Sequence, residues 1–283
     1  MVRLRTLAVG LALVALVGCG KAGDLVASDP TEPNDDTAQS QPTEDAAAPA
    51  PDEGDCRKLQ MEDIQAATND GSPVNCDQRH NAVTYYVGKW PEDLVESATS
   101  VKDSDLEQHV LTECDEAWRN TVGGSLEDWV VSIVSWAWYR PSAKQFNDGA
   151  NWFRCDLVAG QHTDRLERLP SDVNGMLDAD FDDRYRACWT KVFSDKPGVA
   201  EGTLTSCARD HRQRAIGIVQ LDTNSENYPG QQEAFELSNE MCAKAVAKWR
   251  DTKQPGQFGL QWPRRQEWKD GERYATCWAV TRE

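Results

Sequence analysis

The sequence predicts an α+β fold: two tandem homologous disulfide-bonded modules, each a small, mainly antiparallel sheet with one main helix. Three observations carry this expectation. Eight cysteines fall into two sets of four with similar spacing. The residues around those cysteines repeat from one half to the other. Within each half, stretches of β-branched and aromatic residues flank one stretch of helical periodicity.

Before the modules comes a segment that reads as a leader. Arg3 and Arg5 form a short positive region, and an apolar stretch from Leu7 to Val17 follows. Its length suits a signal peptide at 1–18 and falls short of the roughly 20 residues that span a bilayer. It closes on Leu16-Val17-Gly18-Cys19, the pattern of a lipobox, so Cys19 is the expected lipidation site. Its thiol would take the diacylglycerol and its amine would become the new N-terminus. Two or more acyl chains suffice for stable attachment. Residues 19–54 then read as a lipidated cysteine followed by an acidic tether rich in Asp, Glu, Ala, Pro and Thr. With no aromatic and few aliphatic side chains, this stretch cannot offset its ordering entropy by burial. As a flexible coil it would span about 30–35 Å.

Removal of the leader takes Arg3 and Arg5 and no acid, so 30 basic and 47 acidic residues become 28 and 47, a net charge of −19. Such a surface argues against nucleic acid as a partner. The remaining cysteines (Cys56, Cys76, Cys114, Cys155, Cys188, Cys207, Cys242 and Cys277) would oxidise in an exported chain, and no CxxC pair suggests a metal ribbon. Four cysteines allow three pairings in each module.

The first module is placed at 55–160, the second at 183–283, and a polar linker at 161–182. Cys56, Cys76, Cys114 and Cys155 lie on Cys188, Cys207, Cys242 and Cys277, with spacings of 20, 38 and 41 against 19, 35 and 35. Cys76-x3-His80 matches Cys207-x3-His211. Pro141-x4-Phe146-x-Asp148-Gly149-x2-Trp152-x2-Cys155 matches Pro263-x4-Trp268-x-Asp270-Gly271-x2-Tyr274-x2-Cys277 without a gap. Thr84–Val87 and Ala215–Val219 read as strands, 105–120 and 231–250 as helices, and Val130–Trp136 as a further strand. Each module should end in a strand at its fourth cysteine. Cys114 with Trp118, and Cys242 with Trp249, should share a helix face. Asp148-Gly149 and Asp270-Gly271 read as tight turns between extended segments.

The ordered set Gly54-Asp55-Cys56, a cysteine with a nearby histidine, a helical cysteine, and Pro263-x4-Trp268-x2-Gly271-x-Arg273-x3-Cys277 resembles the actinobacterial septum-formation family. The resemblance covers most of 54–280, applied twice. It implies an exported or membrane-anchored protein and carries no enzymatic activity. The second module departs from the pattern at Arg186-Ala187-Cys188, and the first has Phe146 and Asn151 in place of Trp and Arg.

The candidate chemistry is sparse. His80 and His211 occupy matching positions; a metal-ligand or general-base role is set against a hydrogen-bonded turn beside a disulfide, and the second is favoured. Asp178-x-Asp180-x-Asp182 has calcium-loop spacing, yet Asp183 and Trp189 stand where glycine and glutamate belong, which favours a solvated linker. The paired aromatics Phe146/Trp268 and Trp152/Tyr274 read as core. Trp90, Trp129, Trp136 and Trp138 look unpaired between the copies and are the better candidates for a surface patch. Trp136 and Trp138 would share one strand face, and with His80 and His211 form the set of possible binding residues. No catalytic residue, metal ligand or cofactor is assigned. The expectation is a non-enzymatic binding or scaffolding protein held on the extracytoplasmic face of the cell membrane by its N-terminal lipid. Its candidate partners are a cell-wall polymer or an envelope or division protein. The alternatives are a wall-active or metal-dependent hydrolase using His80 or His211, and a sensor ectodomain for a membrane partner.

Overall fold

The structure, a computed structural model, describes residues 48–178, 180–191, 202–221 and 227–281. The leader, Cys19 and most of the tether lie outside these residues. The described residues form one compact unit.

Two antiparallel sheets organise that unit. In the first half, β1 (Cys56–Arg57), β2 (Ala82–Lys89), β3 (Val134–Tyr139) and β4 (Trp152–Ala159) lie in the order β1-β2-β4-β3. In the second, β5 (Ala187–Trp189), β6 (Leu204–Ser206), β7 (Gln213–Gln220), β8 (Phe258–Gln261) and β9 (Tyr274–Val280) lie in the order β6-β5-β7-β9-β8. The strands β5, β7, β9 and β8 thus repeat β1, β2, β4 and β3. The small strand β6 has its counterpart in an isolated bridge: Cys56 faces Val74 as Cys188 faces Thr205. Both long ladders break at the same place, between Thr84 and Tyr86 and between Ala215 and Gly217. A bulge at one position in both halves sets the same local twist beside the fourth cysteine, which faces Tyr86 in one ladder and Gly217 in the other.

One long helix packs on each sheet. α1 (Glu92–Ser97) precedes α2 (Ser104–Val122), whose N-cap Asp103 accepts from the Asp105 amide. α2 buries Leu106, Val110, Cys114, Trp118 and Val122, every fourth residue. α5 (Gln231–Trp249) buries Ala234, Ser238, Cys242 and Val246 at the corresponding positions. Val246 therefore stands where Trp118 does. Trp249, expected on this face, is the last residue of the helix and is 48% exposed. The disulfides join first to second and third to fourth cysteine in both halves: Cys56–Cys76, Cys114–Cys155, Cys188–Cys207 and Cys242–Cys277. The second and fourth tie each long helix to the strand beneath it.

Three local expectations are corrected. The run Val130–Trp136 is split between α3 (Leu126–Val130), started by a Ser125/Asp128 capping box, and β3. Between them the chain pairs with the second half: the Ala187 amide donates to the Val131 carbonyl and the Ile133 amide to the Tyr185 carbonyl, each at 2.8 Å. Asp148-Gly149 and Asp270-Gly271 end short helices, α4 (Ala143–Asn147) and α6 (Arg265–Lys269), where the glycines take φ of 95° and 91°. The 161–182 segment is not a solvated spacer. Leu169, Val173, Leu177 and Phe181 are buried, and they join Trp118, Val131, Leu157, Ala187, Ala215 and Trp278 in one apolar cluster drawn from both halves.

The halves solve one packing problem in opposite ways. Gly88 faces Phe153 across the first ladder, and Val219 faces Ala275 at the same register of the second. A Cβ on Gly88 would stand 2.2 Å from the Phe153 ring. We expect Gly88→Ala to lower stability by about 1–3 kcal/mol through overpacking. Gly88→Val with Phe153→Ala, the arrangement of the second half, should recover part of that loss in chemical denaturation.

Candidate functional site

On the first sheet, the face turned away from α2 carries a buried ion network. Asp156 has no exposed side-chain surface; it accepts from the Thr84 hydroxyl at 2.7 Å and from Arg154 Nε at 3.2 Å. Arg57 Nε lies 4.0 Å from the same carboxylate, while Arg57 also donates to Asp55 at 2.7 Å and to the Gly71 carbonyl at 2.6 Å. Arg154 stacks on Tyr139, 4.5 Å from the ring centre, and donates to Asn69 at 2.8 Å. Burial pushes the Asp156 carboxyl above its ordinary range, offset in part by Arg154, Thr84 and Arg57. Burial lowers Arg57, and the neighbouring charge of Arg154 adds to the effect. Every polar group here is answered from within the sheet and its covering loop, so the network is architecture. In the second half Trp189, Ala215 and Trp278 occupy the places of Arg57, Thr84 and Asp156. The two indoles meet edge-on with centroids 6.2 Å apart. That aromatic face is the one the first half covers: Trp278 and Ala215 share a cluster with Trp118 and Val131.

The sequence-nominated tryptophans divide. Trp90 is 2% exposed, donates to the Leu106 carbonyl at 3.1 Å and packs on Phe146 and Phe153. Trp129 is half-buried against Trp118, with its indole N–H on the Gly123 carbonyl at 2.7 Å and the Arg119 guanidinium 4.5 Å from its ring centre. Trp90 is therefore core, and the two indoles pack at opposite ends of α2. Trp136 and Trp138 do share a face of β3, the face toward α2, and both are half-buried. Their counterparts by register with the fourth cysteine are Phe258 and Leu260, so both are apolar positions of the repeated fold. Trp138 carries the Arg140 guanidinium 5.5 Å from its ring centre. Trp136 lies at the side of a groove formed with Gln108, Leu111, Thr112, Asp115, Glu116 and Arg119 of α2. That stripe was not picked out from the sequence. Its signal was Leu111, an aliphatic residue at 37% exposure on a polar helix face.

His80 and His211 are each 2% exposed. His80 Nδ1 lies 2.8 Å from the Gln78 carbonyl and Nε2 lies 3.1 Å from the Pro170 carbonyl, so the ring clamps the joining segment to the turn. His211 Nδ1 faces the Arg209 carbonyl at 2.7 Å, the same i−2 contact in the second half. Three acids of the run after 177 are engaged by backbone and arginine. Asp178 accepts from the Gly124 amide at 3.0 Å, and Asp182 from the Arg184 amide at 2.8 Å. Asp183 grips Arg214 through both oxygens at 2.7 and 2.5 Å, which holds its carboxyl below the ordinary range. Arg186 lies over Phe181 and within 3.8 Å of Asp183. Among the described residues, no three His, Cys, Asp or Glu side chains are grouped to hold a metal ion.

Charge is divided unevenly. Residues 55–160 hold 18 acidic and nine basic side chains, and residues 183–283 hold 14 and 16. The groove beside Trp136 thus belongs to the acidic half. No described helix is long and apolar enough to cross a membrane.

No curated protein and no solved structure matches the chain. A protein family described as Septum formation does match, over residues 53–277. The match is one continuous stretch through both halves, whereas the sequence reading laid the family pattern on each half separately. With the larger part of its length covered, the chain belongs to the septum-formation family.

Proposed function

We propose that the protein is a lipid-anchored, extracytoplasmic envelope protein that acts at the division septum as a non-enzymatic binding or scaffolding unit. The observation that carries this reading is the family match through the whole disulfide-bonded region. Four disulfides fit an oxidising compartment outside the cytoplasm. Cys19, in its lipobox, supplies the anchor, and the tether holds the paired modules away from the bilayer. The hydrolase alternative gains no support from the histidines, whose imidazoles are enclosed and directed at carbonyls.

A fusion at Glu283 to a fluorescent protein that matures outside the cytoplasm tests the reading in growing cells. Enrichment at new septa is expected, and Cys19→Ala should release the signal from the membrane. Uniform envelope labelling, with normal division in a deletion strain, would reject a septal role.

A further inference from the structure

We propose that the open edge of β3, with the groove between β3 and α2, is a docking site for an extended polypeptide of mixed apolar and basic composition. The incoming segment would add to the first sheet as a further strand. This rests on the reading of the chain as a binding protein and names the class of its partner.

β3 is the outermost strand of its sheet. Its hydrogen-bonding phase is fixed at both ends. The Gly160 amide donates inward to the Ile133 carbonyl, while the Arg140 amide donates outward to the Ala67 carbonyl at 3.1 Å. Alternation then turns the N–H and C=O groups of Trp136 and Trp138 outward. Among the described residues, none bonds to them on that side. The contact of Arg140 with Ala67 shows that this edge takes a passing chain, and Tyr139 secures the same loop by donating to the Asp63 carbonyl at 3.1 Å. Residues 63–67 close one end of the edge and the second half takes Val131 and Ile133 at the other, so Trp136 and Trp138 lie on the stretch between.

An exposed edge is ordinarily blunted by charge, proline or cover. Here Val134-Ser135-Trp136-Ala137-Trp138-Tyr139 carries no charge and no proline. Beside it runs the groove with Trp136 and the exposed Leu111, which offers an apolar contact for every second side chain of an added strand. An edge strand flanked by a helix is the geometry by which sheets recognise extended peptides: backbone pairing supplies affinity and the groove supplies selectivity.

Charge selects the occupant. Asp115, Glu116 and Arg119 line the groove; Arg119 pairs with Asp115 at 2.8 Å, which leaves Glu116 as the charge open to a partner, in a half with twice as many acids as bases. The chain's own tether has one lysine among its many acids between residues 20 and 47, so this field repels it. A segment that alternates apolar and basic residues satisfies both the groove and its rim.

Fluorescence polarisation with the full-length protein in detergent micelles tests the proposal, using labelled Lys-Val-Lys-Leu-Lys-Val-Lys. Saturable binding is expected. Methylation of alternate peptide amides should weaken it at least tenfold, and so should Leu111→Glu, an exposed change whose fold is checked by circular dichroism. The Glu-for-Lys peptide should not bind. Absence of binding at millimolar peptide, or binding indifferent to methylation or to Leu111→Glu, would overturn the proposal. Titration of a chitin tetrasaccharide that depends on Trp136, with the peptide excluded, would overturn it in favour of sugar stacking. Septal localisation is read separately in cells, so either reading can fail alone.

Discussion

Asp156→Ala should lower the free energy of unfolding by about 3–5 kcal/mol, the range for breaking a buried ion pair from one side. The loss comes from what remains: Arg154, its side chain 2% exposed, would lose its carboxylate partner, and Arg57, 5% exposed, would keep only Asp55 as countercharge. The Thr84 hydroxyl would also lose its acceptor. The second half shows that this place in the fold does not require ions, since Trp189, Ala215 and Trp278 fill it. Replacing the whole network by apolar residues (Arg57→Met, Thr84→Val, Arg154→Met and Asp156→Leu together) should therefore return stability to within about 2 kcal/mol of the parent. Urea denaturation of the parent, the single and the quadruple variant separates the effects. A quadruple variant as unstable as Asp156→Ala would mean that the ions set the packing of the covering loop.

Trp278→Ala should cost about 3–5 kcal/mol, the range for truncating a fully buried aromatic, and should destabilise both halves at once. Trp278 is 3% exposed, and its cluster includes Trp118, Val131 and Leu157 of the first half together with Leu177 and Phe181 of the joining segment. Its removal opens a cavity that neither half closes alone. Unfolding followed by near-ultraviolet circular dichroism and by amide exchange in α2 should report one shared transition in the parent and the same transition, earlier, in the variant. Loss of the second half first, with α2 still protected, would show that the halves are thermodynamically separate.

The repeated elements were legible in the sequence because local chemistry decides them. The β-branched and aromatic residues after each histidine gave β2 and β7. Cysteines at the centre of helical periodicity gave α2 and α5. What escaped was set by contacts distant in sequence. Leu169, Val173, Leu177 and Phe181 recur every fourth residue in a polar segment that forms no described helix, and only the cluster drawn from both halves explains their burial. Val130–Ile133 has strand composition, but the Ser125/Asp128 cap turned its first residue into helix. The network at Asp156 was invisible because charged residues within strands ordinarily face water; here a loop closed over them. The same limit applies to the candidate site. Trp136 and Trp138 were correctly placed on one strand face, but the partner of that face, the α2 stripe with Leu111, depends on how helix and sheet are stacked.

The pairing of the cysteines has a consequence for how the molecule can come apart. Every disulfide closes within its own half, and only the backbone between Cys155 and Cys188 passes from one half to the other. A protease cut inside any of the four loops leaves fragments covalently joined until a reductant is added. A cut in the passage between the halves leaves two cross-linked pieces with no shared covalent bond. They would still migrate together in native buffer, clasped by the common apolar cluster, and would separate in denaturant without any reductant.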